Sequence, residues 1–169
     1  MDYNNYCDNY MNAFFEDGKI AGSSFSFRSQ FDFTKLNYTK SSIKYVEKIL
    51  DSIYENYVST GNMNTTQQEL SNLVHFIGFY IGLSISKITK KTVDFYSLEA
   101  FMEKFPYMAD EVKDKRDVSF IAVCKSDNDR QTIFYPLAFV ISIIGNGYDE
   151  NESIYKNALS AIESIKGRG

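Results

Sequence analysis

The sequence predicts an α+β domain, with a small and mainly antiparallel sheet of three to four strands packed with about five helices. Three observations carry this expectation. Stretches with apolar residues at three- and four-residue steps occupy both ends of the chain. Short β-branched and aromatic runs fall within residues 92–135, between the helical stretches. Two of those runs are joined by turn residues alone, which makes them a hairpin. The whole of residues 1–169 reads as one domain, with an N-terminal helix and extended segment over 1–37 and a core over 38–166.

Tyr3, Tyr6, Cys7, Tyr10, Met11 and Phe14 recur at helical steps, and Gly18 is placed to end that helix. The following GSSFSFRSQFDF alternates in part at Phe25, Phe27, Phe31 and Phe33, which predicts an extended segment laying rings onto the core. From Ser41 to Tyr57 a helix presents Ile43, Val46, Leu50, Ile53, Tyr54 and Tyr57 on one face. Its opposite face carries Lys44, Glu47, Lys48, Asp51 and Glu55.

After a polar loop, Thr65 with Gln68 and Thr66 with Glu69 offer two overlapping capping boxes. The helix they open carries Leu70, Leu73, Val74, Ile77, Ile81, Ile85 and Ile88 in a helical stripe, with His75, Gly78, Phe79 and Gly82 on its flank. A glycine inside a helix costs about 1 kcal/mol against alanine, so close approach of another backbone is expected at Gly78 and Gly82.

TVDFY reads as a strand, and Ser97 caps a short helix that Pro106 ends. A polar connector with helical potential leads to VSFIAVC, whose unbroken apolar run predicts a strand covered on both faces. SDNDR is turn chemistry, and Gln131 to Tyr135 is the returning strand. Pro136 opens a helix that Gly145 or Gly147 stops, and Asn151 to Lys166 forms a last amphipathic helix.

The chain has 14 Phe, 13 Tyr and no Trp, and most of these rings fall at core spacings. Its net charge of −4 argues against binding to phosphate backbones, which requires a positive field. The uncharged stretch from Leu70 to Ser86 is shorter than the roughly 20 apolar residues of a membrane span, so no membrane partner is expected. The start, MDYNNYCDNY, lacks an apolar h-region, which points to a cytoplasmic protein. Cys7 and Cys124 make no metal-spaced pair and read as buried free thiols.

Chemistry-bearing motifs are sparse. One histidine, no HExxH and no paired cysteines leave no metal cluster, and Asp127-Asn128-Asp129 lacks the glycine and distal glutamate of a calcium loop. No GxSxG elbow accompanies the serines near His75, and neither phosphate-loop glycine pattern occurs. No catalytic residue, cofactor or metal is therefore assigned. The residual enzymatic reading rests on His75, the one side chain whose ordinary pKa lies near neutrality.

The order SSIKYVEKILDSIYENY, NLVHFIGFYIGLSISKI, TVDFY, hairpin and PLAFVISIIGNG resembles small bacterial α/β proteins that are similar to immunity proteins of polymorphic-toxin and type VI secretion loci. The resemblance spans about Phe31 to Ile165 and centres on Gly78-Phe79-Tyr80-Ile81-Gly82. Where many such proteins carry an acidic residue after the second glycine and a tryptophan in the next strand, this chain has Leu83 and Phe95, which suits a binding protein better than an enzyme.

That resemblance implies a cytoplasmic protein that binds and neutralises one secreted toxin or effector. Acidic groups would then face a basic catalytic cleft. The candidate contact residues are Asp110, Glu111 and Asp114, the hairpin turn at Asp127 and Asp129, and the loop at Tyr148, Asp149 and Glu150. The alternatives are a scaffold or adaptor of a bacterial secretion or regulatory assembly, joining a second copy of the chain or another component, and a small enzyme using His75.

Overall fold

The computed structural model describes residues 3–112, 119–125 and 131–167. The α+β class holds: among the described residues seven α-helices surround one three-stranded antiparallel sheet. The helices are α1 (Tyr3–Phe15), α2 (Lys40–Thr60), α3 (Gln67–Thr89), α4 (Leu98–Lys104), α5 (Ala109–Val112), α6 (Pro136–Asn146) and α7 (Ile154–Lys166). The strands are β1 (Val93–Tyr96), β2 (Ile121–Lys125) and β3 (Gln131–Phe134), in spatial order β1-β2-β3.

Strand alternation sorts the sheet residues between two apolar clusters. Val93, Phe95, Ala122, Cys124 and Phe134 turn to the main core with α1, α2, α3, α6 and α7. Ile121, Val123 and Ile133 turn to the opposite face, where Phe101 of α4 and Val112 of α5 cover them. The expectation of a central strand buried on both sides is met by β2, while the polar connector after Pro106 proves partly helical because Val112 anchors it.

The spine is α3, which is buried around nearly its whole circumference. Phe76, Ile77, Phe79 and Tyr80 are all fully buried, so its apolar surface extends well beyond one stripe. Phe76 stacks on Phe14 of α1 at 3.5 Å between ring centroids, and Phe79 stacks on Phe120 at 4.3 Å. The buried Tyr80 hydroxyl donates to Ser42 Oγ at 2.8 Å and accepts from the Tyr38 amide at 3.1 Å, so the polar tip of a core ring is satisfied.

The two helix glycines have a different cause from the one expected. A β-carbon on Gly82 would lie 2.6 Å from the Phe95 ring, and one on Gly78 would lie 3.0 Å from Phe120 and 3.1 Å from Leu137. Side chains, chiefly aromatic rings, fill the space, where the sequence suggested another backbone.

The capping box that forms is Thr66 with Glu69, and Thr65 bonds the Ser26 hydroxyl instead. The predicted extended segment after Gly18 is also corrected. It folds into turns and two 3-10 turns, Arg28–Gln30 and Phe33–Lys35, with Phe27 in the left-handed region at φ 59°. Phe25 and Phe31 still enter the core, whereas Phe33 is exposed. Asn72, fully buried on α3, donates to the Ser23 and Ser24 carbonyls at 3.0 Å each and fixes this segment. Both cysteines are buried, and neither forms a disulfide.

Candidate binding surface

The loop between α6 and α7 carries Tyr148, Asp149 and Glu150 of the predicted contact residues. α6 ends where the Gly147 amide donates to the Ile143 carbonyl at 2.9 Å, and Gly147 takes φ 85°, ψ −179°. That conformation is essentially closed to residues with a β-carbon. The Tyr54 ring of α2 also fills the position a β-carbon would take. Helix and loop are thus pinned to α2 at one residue, and the next residue, Tyr148, projects outward with 47% of its surface exposed.

Beyond it, Asp149 Oδ1 accepts from the Asn151 amide at 2.7 Å and starts the 3-10 turn Glu150–Glu152. Glu150 pairs with Lys156 of α7, and this hydrogen bond holds the Glu150 carboxyl below its ordinary pKa. Ser153 caps α7, accepting from the Lys156 amide at 3.2 Å, and its hydroxyl donates to Glu47 Oε2 at 2.8 Å. The same carboxylate oxygen accepts the Tyr155 amide at 3.0 Å.

Glu47, which the sequence sets on the charged face of α2 opposite the apolar stripe, is 6% exposed and ties α2 to the start of α7. The signal was in the spacing: residue 47 lies four after Ile43 and three before Leu50, on the buried stripe. A carboxylate there is stable because it meets donors at a helix N-terminus, where the helix dipole also favours negative charge. Lys44, Glu47, Lys48, Asp51 and Tyr148 line a cavity of about 210 Å³ beside the corner. Its two lysines balance its two carboxylates, so the corner carries mixed charge.

The other predicted residues lie elsewhere. Asp110 and Glu111 are exposed on α5, on the far side of the sheet, and the Glu111 charge acts on Tyr135 just before α6. Tyr148 follows the opposite end of α6, an 11-residue helix about 16 Å long. Asp114, Asp127 and Asp129 lie outside the described residues.

His75 lines a separate, apolar groove of about 360 Å³ between α3 and α6, with Leu70, Val74, Leu137, Ile141 and Ile144. Its Nδ1 lies 2.8 Å from the Ser71 carbonyl, so Nδ1 carries the proton and donates, and Nε2 keeps its lone pair. Tyr10 stacks on the ring at 5.6 Å. Burial lowers the His75 pKa, opposed by the Ser71 carbonyl, and the imidazole is neutral at pH 7. No carboxylate lines this groove among the described residues.

No group of three or more His, Cys, Asp or Glu among the described residues is arranged to hold a metal ion, and no helix among them is long and apolar enough to cross a membrane. Comparison with protein-family models, with curated proteins and with solved structures finds no match.

Proposed function

We propose that this chain is a non-catalytic binding protein of the bacterial cytoplasm that neutralises a cognate toxin or effector, using the Tyr148–Asp149–Glu150 corner as its contact. The observation that carries this reading is preorganisation. A half-exposed tyrosine stands on a loop locked by the Gly147–Tyr54 contact, the Asp149 turn, the Glu150–Lys156 pair and the buried Glu47 cap. Rigid loops lose little entropy on binding, and tyrosine is enriched among residues that dominate interface energetics. Asp149 contributes negative charge for a basic partner surface, and Lys44 and Lys48 set the register around it. Co-purification with the product of the adjacent gene, together with protection of cells expressing that product, tests the reading. A chain that neither binds the product nor protects would refute it.

A second reading, a scaffold or adaptor, is favoured by the groove between α3 and α6. Ile141 is 47% exposed there beside Leu70, Val74 and Ile144, and such an apolar patch suits assembly with another protein. Ile141→Glu would abolish that assembly and leave the Tyr148 corner intact.

A further inference from the structure

Glu47 leaves one carboxylate oxygen without a partner. Its Oε2 accepts from the Ser153 hydroxyl and the Tyr155 amide, while Oε1 meets no donor among the described residues. Every buried side-chain nitrogen or oxygen among those residues has a hydrogen-bond partner. Oε1 must therefore reach solvent, even though the residue as a whole is more than nine-tenths buried. Its opening is the cavity of about 210 Å³ that Glu47 lines with Lys44, Lys48, Asp51 and Tyr148. A carboxylate oxygen in such a recess keeps its capacity to accept a strong, charge-assisted hydrogen bond.

Asp51 stands four residues after Glu47, one turn along the same face of α2. Two carboxylates at that spacing repel, and neither forms an ion pair among the described residues. The nearby lysines do not neutralise them at close range. Lys44 Nζ sits over the Tyr155 ring of α7 at 5.6 Å. Lys156, on which the Glu47 charge acts, is taken by Glu150. Lys48 is exposed and bonds nothing among the described residues. The half-exposed Tyr148 ring completes the lining as an aromatic wall.

We infer that this cavity takes the guanidinium of an arginine side chain on the partner protein, which deepens the Tyr148 reading above and rests on it. A guanidinium is planar, presents five N–H donors and is more weakly hydrated than an ammonium. Glu47 Oε1 accepts from it in the recess, the less buried Asp51 accepts nearer the surface, and Tyr148 offers its ring face. At about 210 Å³ the cavity is below the roughly 300 Å³ where drug-sized ligand sites begin, which fits one side-chain head group. An anion would instead meet an unpaired carboxylate oxygen, a like-charge contact that disfavours it. Lys48 is the cation of the lining with no partner of its own. Its removal should tighten the binding of an arginine and weaken that of an anion.

NMR titration of the purified chain with N-acetyl-arginine amide tests this, with the neutral citrulline counterpart and inorganic phosphate as controls. The arginine probe should shift the amides of Glu47, Asp51 and Tyr148 saturably, with a dissociation constant on the order of 10 mM, and the citrulline probe should not. Asp51→Asn should weaken binding at least about threefold, and Lys48→Met should tighten it by a similar factor. Neither side chain is part of the buried core, so both variants should fold. No saturable shift at roughly ten times that concentration overturns the assignment. So does phosphate shifting the same amides and losing affinity in Lys48→Met. The titration needs no partner protein, which separates it from the reading it rests on. A silent arginine probe beside a Tyr148-dependent interaction with the adjacent gene product overturns the arginine assignment alone. Arginine binding with no interaction between the chain and that product overturns the toxin reading and leaves the guanidinium site standing.

Discussion

The Phe95 ring occupies the space beside Gly82 that a β-carbon would fill, at 2.6 Å from the position of that carbon. Phe95 itself packs perpendicular to the stacked Phe79 and Phe120 rings, with centroids at 5.0 and 5.4 Å, so it has little room to retreat. Gly82→Ala should therefore lower stability by about 1–3 kcal/mol, because overpacking outweighs the gain in helix propensity. Gly145 supplies the contrast. It lies within α6 with nothing within 4 Å of its missing β-carbon, and Gly145→Ala should stabilise the protein by about 0.5–1 kcal/mol. Urea denaturation of both variants checks the pair of opposite signs.

Glu47 gives a second prediction. Glu47→Ala removes the acceptor for the Ser153 hydroxyl and the Tyr155 amide and leaves both donors in a buried joint. Hydrogen bonds to charged groups contribute about 1.5–3 kcal/mol each, and a loss of about 2 kcal/mol or more is expected by thermal or chemical denaturation. Glu47→Gln keeps an acceptor oxygen and should lose less.

His75 gives a pH dependence. Burial lowers its pKa in the folded chain, so the native state binds that proton more weakly than the unfolded chain does. Its contribution to stability is fully present above the unfolded pKa of about 6.5 and declines as pH falls below it toward the lower folded value. Denaturation midpoints at pH 7.5 and 5.5 should differ more in the native chain than in His75→Gln, and the imidazole resonance should titrate below the usual histidine range.

The thiols give a fourth. Burial, aided by the Asp8 charge, pushes the Cys7 pKa up to about 12, and Cys124 is raised as well, chiefly by burial. Thiolate is the reactive form. A thiol reagent at neutral pH should modify neither in the folded protein and both in denaturant.

Much of the fold was legible because periodicity and punctuation agreed. The Thr66–Glu69 box, the Ser97 cap, Pro136 and the apolar runs placed α3, α4, α6 and the hairpin strands within a few residues. The Phe25–Phe33 segment misled because its alternation is that of turns whose rings alternate between core and surface, with no neighbouring strand to pair with. Tyr148 and its two acidic neighbours stood out in the sequence. What supports them did not, because the Tyr54–Gly147 contact and the Glu47–Ser153 bond join residues 93 and 106 positions apart. Composition could group acidic residues by sequence but not reveal that α6 separates Glu111 from Tyr148, nor that lysines of α2 neighbour Tyr148.

The central claim is that a locked corner presents Tyr148 to a protein partner. Its most direct test is calorimetric titration of the purified product of the adjacent gene into the native chain and into Tyr148→Ala. Saturable one-to-one binding, weakened at least about tenfold (~1.4 kcal/mol) by the substitution with folding unchanged, is the predicted result. No heat of binding to the native chain, or equal affinity for both, would contradict it.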